Sequence, residues 1–147
     1  MSSVGTGGGP GPGCPFCAPG SERVLWSDVR SRVLLAAEPG YPGFCRVVWG
    51  AHVREMTDLA LEDRARLMEV VFAVEAALRE VLSPYKVNLA SLGNRVPHLH
   101  WHVIPRFEDD PHFPEAVWGT RVRQNKESNF ENDGRLLEAI ERQLRKE

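Results

Sequence analysis

The sequence predicts an α+β domain: an antiparallel sheet of about five strands with one long helix and a C-terminal helix. Three observations predict it. Short runs rich in β-branched and aromatic residues alternate with turn-forming residues, a long middle segment follows helical spacing, and a second apolar-periodic segment closes the chain.

The first 13 residues, MSSVGTGGGPGPG, hold too little apolar surface to offset the entropy of ordering them and are expected to be a flexible tail; residues 14–147 form a single domain. VLWS (24–27), RVLLAA (32–37) and FCRVVWG (44–50) read as three strands, with EPGYPG at 38–43 supplying turn chemistry. Cys45, inside the third run, reads as a small buried hydrophobe. From Asp58 to Leu82 the apolar positions Leu67, Val70, Val71, Val74, Ala77, Leu78 and Val81 fall at steps of three and four, and Ser83-Pro84 ends the helix. KVNLASL (86–92) and LHWHVI (99–104) read as two further strands around Gly93-Asn94. A last helix from about Arg135 to Arg145 carries Leu136, Leu137, Ile140 and Leu144.

Composition excludes several classes of function. Eighteen basic against twenty acidic residues give a formal charge of -2 without a long run of either sign, so no surface for a nucleic-acid polymer is expected. No stretch approaches a membrane span, and the N-terminus lacks the basic-then-apolar order of a secretory signal, so a cytoplasmic protein is expected. Three cysteines do not suggest a disulfide framework.

PHLHWHVIPR, residues 97–106, concentrates the histidines. On a strand, His98, His100 and His102 line one face and Leu99, Trp101 and Val103 the other, so the imidazoles are expected to point outward from a rigid element while the apolar set meets the core. Imidazole is a nucleophile, a proton shuttle and a metal ligand near neutral pH. The residues alone therefore leave three readings open: histidines without a task, a catalytic metal site, and a nucleophilic site for phosphorus.

His-Leu-His-Trp-His-Val-Ile, with Gly93 to Pro97 before it and Pro105-Arg106 after it, resembles the signature of the histidine triad (HIT) superfamily, and the likeness spans roughly Cys14 to Trp118. The resemblance implies a HIT-like fold, a homodimer whose sheets join, and a nucleotide substrate cleaved at the α-phosphate through a covalent nucleotidyl-histidine, with no cofactor needed for catalysis. It implies that His100 is the nucleophile, that His102 contacts the α-phosphate, and that His98 supports the site or binds zinc. Asn88 and Asn94 match positions where relatives aim amides at the phosphate or leaving group; for Asn94, beside Gly93, turn chemistry is an equal alternative.

CPFC places Cys14 and Cys17 at a spacing that suits one zinc ion but lacks a second pair. The resemblance implies a structural zinc completed by His52 and His98. Arg106 is a candidate for a distal phosphate, with an ion pair to Glu108 or Asp109 as the alternative. Glu38 lies near the position of the family's ribose contact, with Phe44 and Leu35 as candidate pocket walls. His112 and Trp118 are candidates to close over the leaving group, or else part of a solvated loop.

Overall fold

A computed structural model describes residues 11–18, 20–125 and 130–145. Most of the expected N-terminal tail lies outside these residues. Of the rest, residues 11–13 lead into a turn in which the Gly11 carbonyl accepts from Cys14 N–H at 3.0 Å and Gly11 N–H donates to Cys17 Sγ at 3.3 Å.

The elements follow in the expected order: β1 (Val24–Ser27), β2 (Ser31–Leu35), β3 (Cys45–Trp49), α1 (Leu61–Leu82), β4 (Lys86–Ala90), β5 (His100–Arg106) and α2 (Asp133–Arg145). Five strands make one sheet in the order β1-β2-β3-β5-β4, every neighbouring pair antiparallel. The long helix starts later than Asp58, because the Asp58 carboxylate accepts from the backbone N–H of Glu55 and closes a short 3-10 turn at Met56–Asp58. The fifth strand starts at His100, so His98 precedes it rather than lying within it.

Strand alternation divides the sheet cleanly. Val33, Leu35, Cys45, Val47 and Val103 point to one face, where α1 and α2 cover them with Leu67, Val70, Val74, Leu78, Leu136 and Ile140 in one buried cluster. Burial pushes the Cys45 thiol up to about 12, so it serves as packing. Leu35 belongs to this core and not to a pocket wall; Leu34, paired with Arg46, takes the other face. The helix crosses closely at Gly43, whose φ is +81° and whose missing Cβ would lie 2.5 Å from Leu82 Cδ1. A side chain there would push the Leu82 side chain aside and hold an L-residue in a left-handed backbone conformation. No helix among the described residues is long and apolar enough to cross a membrane.

The opposite face carries the polar chemistry. Arg46 on β3 is paired with His102 and Val48 with His100, while Asn88 and Ala90 on β4 pair with Ile104 and His102. Paired residues share a face, so Arg46, His100, His102 and Asn88 stand on one surface.

Candidate active site

His100 and His102 point away from the helix-covered core as expected, but all three histidines are buried: His98 is 0% exposed, His100 6% and His102 7%. The sheet face they occupy is roofed by the N-terminal segment and by the loop after β5. Phe16 brings its ring 4.9 Å from that of His100, Trp118 brings its ring 5.0 Å from His102, and Phe44 meets His102 edge-on at 5.8 Å. Trp118 is thus drawn to the site, whereas His112 bonds Tyr41 Oη through Nδ1 at 2.6 Å, stacked on the tyrosine ring.

The three rings are held differently. His100 Nδ1 donates to the backbone carbonyl of His98 at 2.6 Å, which fixes the tautomer and leaves the Nε2 lone pair available for attack. Ser91 Oγ in turn donates to the His100 carbonyl at 2.7 Å. His98 Nε2 donates to the Trp49 carbonyl at 2.6 Å, so its Nδ1 carries the lone pair. His102 Nδ1 is buried without a hydrogen-bond partner.

His98 turns its Nδ1 toward a second cluster. It lies 3.4 Å from both Cys14 Sγ and Cys17 Sγ and 3.1 Å from His52 Nδ1, and the four ligand atoms all lie within 4.8 Å of one another. Tetrahedral zinc with bonds of about 2.0–2.3 Å sets its ligand atoms roughly 3.3–3.8 Å apart, and the donor set Cys2His2 is one that zinc favours. The residues fit the ion. The Trp49 carbonyl behind His98 supplies the outer hydrogen bond that orients a ligating imidazole.

The remaining candidates separate. Arg106 is 2% exposed and does not face solvent. Its Nε and Nη2 hold the two oxygens of Asp110 at 2.7 and 3.0 Å, Nη1 donates to Asn88 Oδ1 at 2.8 Å, and Nη2 also reaches the Glu115 carbonyl at 2.7 Å. Its ion pair is therefore with Asp110, not Glu108 or Asp109, and its fork is spent inside the protein. Asp110 also accepts from the backbone N–H groups of Phe107, His112 and Phe113, and with the guanidinium these hold its carboxyl below the usual range against the burial that would raise it. The pair organises the loop that carries Trp118 and anchors Asn88 by its carbonyl oxygen, leaving the amide NH2 as the donor end. Asn94 is exposed in the turn after Gly93. Glu38 accepts from Arg46 Nη2 at 3.3 Å at the rim.

Sequence reasoning missed Phe16, Arg46, Ser91 and Asp110. Phe16 sits between the two cysteines and reads there as a spacer; strand pairing alone brings Arg46 opposite His102.

Burial lowers the pKa of His100 and His102 below the ordinary imidazole value of 6.5, for His102 to about 4, with the positive charge of Arg46 acting in the same direction. Both rings are neutral at pH 7, as a nucleophile must be. For His102 the sign on stability follows: below pH 6.5 the unfolded chain takes a proton that the folded chain refuses until about pH 4. Wild type is therefore expected to lose up to about 3 kcal/mol relative to His102→Gln as pH falls from neutrality toward 4. Denaturant midpoints of the two proteins across that range check it; parallel pH curves would remove the buried neutral His102 from the account.

A profile of the HIT domain matches residues 20–109. Among curated proteins, the chain is 30% identical over 90 residues to AP-4-A phosphorylase of Mycobacterium tuberculosis, a match covering 57% of this chain and 46% of the relative. The chain thus spans about half the length of that protein. Among solved structures, it resembles a histidine triad protein from Bradyrhizobium japonicum with 31% identity and a TM-score of 0.68, covering 83% of this chain and 90% of that one. It also resembles a Zn-bound histidine triad family protein from Mycobacterium smegmatis with 26% identity and a TM-score of 0.67, covering 92% and 97% of the two chains.

Proposed function

The chain belongs to the HIT domain family, and from that premise we propose that it cleaves dinucleoside polyphosphates or nucleoside monophosphate conjugates at the α-phosphate through a nucleotidyl-histidine at His100. The observation that carries the proposal is the hydrogen bond from His100 Nδ1 to the His98 carbonyl, which leaves the Nε2 lone pair of a buried ring free for attack.

His100 Nε2 attacks the α-phosphorus and the bond to the leaving-group oxygen breaks. The leaving group departs with the bonding pair and takes its proton from solvent or substrate. The imidazole, now substituted at Nε2, keeps its Nδ1 proton against the His98 carbonyl, which accommodates the positive charge. His102 and the NH2 of Asn88 meet the non-bridging oxygens as charge develops on them. Water then attacks phosphorus, the P–N bond breaks, and nucleoside monophosphate leaves. Zinc at Cys14, Cys17, His52 and His98 belongs to the proposal as a structural ion that ties the N-terminal segment to the triad; catalysis itself takes no cofactor. Glu38 and Phe44 are proposed to border the nucleoside, and Trp118 the leaving-group side.

The name of the mycobacterial relative supports a second acceptor: in a phosphorylase, inorganic phosphate takes the place of water and the product is a nucleoside diphosphate. A panel of adenylated and guanylated compounds, run with and without phosphate, tests both. Monophosphate release without phosphate supports hydrolysis, and diphosphate formed only with phosphate supports transfer. Nucleotide binding with no turnover on any compound would replace both with a non-catalytic nucleotide sensor, and activity lost on chelation with the fold intact would favour a zinc-dependent hydrolase. A homodimer formed through the outer edge of β4 is part of the same proposal; sedimentation as a monomer would remove it.

A further inference from the structure

The guanidinium that the triad signature places beside the reacting histidines, Arg106, is consumed by Asp110, Asn88 and Glu115. Arg32, also on this face, is held bidentately by Glu22 and donates to the Phe16 carbonyl. An anionic phosphate nevertheless needs a cation in a site from which water is largely excluded. Arg46 remains. It is paired with His102 in the β3-β5 register, which puts their Cβ atoms about 5 Å apart on the same face. The Phe44 ring meets both, 5.3 Å from the guanidinium carbon of Arg46 and 5.8 Å from the His102 ring. Stacking on that ring leaves the guanidinium edge, with its N–H donors, free to turn toward an oxyanion. Among the described residues its ion pair is a single 3.3 Å contact from Nη2 to Glu38, whose side chain is 45% exposed, a kind of pair that water and salt weaken readily.

We propose that Arg46 is a phosphate-binding residue of this site, donating to a non-bridging oxygen of the nucleotide α-phosphate from the strand next to His102. The inference rests on the functional reading above and adds the cation that it lacks. Arg46 exchanges its weak contact with Glu38 for a charge-assisted one to phosphate, and Glu38 is freed toward the nucleoside.

The test compares AMP with adenosine, measured by calorimetry on the full chain. Arg46→Met keeps the length of the side chain and its packing on Phe44 and is expected to weaken AMP binding about 10- to 100-fold, the range of one charge-assisted hydrogen bond, while adenosine affinity stays within about twofold. Arg46→Lys restores most of the AMP affinity. A merely structural residue would move both ligands together, so equal losses, or no loss for AMP, overturn the proposal; so does a wild type that binds adenosine and AMP equally. Arg46→Gln repeats the comparison should the methionine variant fail to fold. Turnover is read separately: a wild type that holds AMP through Arg46 but releases no monophosphate ends the reading as a hydrolase and leaves this one standing.

Discussion

His100→Asn is expected to slow monophosphate release by at least about 1,000-fold while the protein still folds and binds nucleotide. Asparagine can place its amide NH2 near the position of the imidazole Nδ1–H, so the bond to the His98 carbonyl has a replacement donor and β5 keeps its pairing. What it lacks is the Nε2 lone pair, and with it the covalent intermediate. Ground-state contacts to the phosphate from neighbouring residues remain, so affinity for AMP should change by less than about tenfold while the rate collapses, the pattern expected when an interaction made only in the transition state is removed. Rapid quench with labelled substrate should trap a protein adduct in wild type and none in the variant. Full turnover by His100→Asn would sink the mechanism.

Cys17→Ala is expected to abolish stoichiometric zinc and lower the melting temperature by roughly 10–15 °C, since a structural ion contributes folding free energy directly. The loss should not stop at stability. Cys17 Sγ accepts from Gly11 N–H and faces both His52 and His98, so without the ion the turn at 11–18 is released, together with Phe16 that roofs His100. His98 loses its inner partners, and its carbonyl is the group that orients the nucleophile. Turnover should therefore fall as well, through the loss of the scaffold around His100. Chelator separates loss of the ion from loss of packing: it should bring wild type down to the melting temperature of the variant and leave the variant unmoved. Metal analysis showing no zinc in wild type, or a chelator that lowers both proteins equally, would end the assignment.

The fold was legible because its period is written plainly. The β-rich run FCRVVW, alternation in LHWHVI, and steps of three and four in Leu67 to Leu78 mark strands and a helix with apolar faces to bury, and the sheet and helices follow them. The site was legible where it coincides with those periods: His100 and His102 share a face because they are two residues apart on β5. Burial was not, because what covers that face comes from Phe16 and Trp118, far away in the chain and on segments without a period. Nor was the role of Arg106. FEDD offers three acids, and only the turn after β5, which presents Asp110 to three backbone N–H groups, picks out the partner. Arg46 escaped for a different reason: its neighbour in space is set by the register between β3 and β5, which local sequence does not encode.

The division of β5 into two faces also limits how this chain can change length. Inserting or deleting one residue between His98 and His102 would reverse the parity of everything beyond it, swinging imidazoles into the helix-covered core and Trp101 or Val103 onto the reacting face. The turn from Leu92 to Pro97 carries no such constraint, being mostly exposed at its tip. Drift in length among descendants of this sequence should therefore collect there, immediately beside a segment that tolerates none.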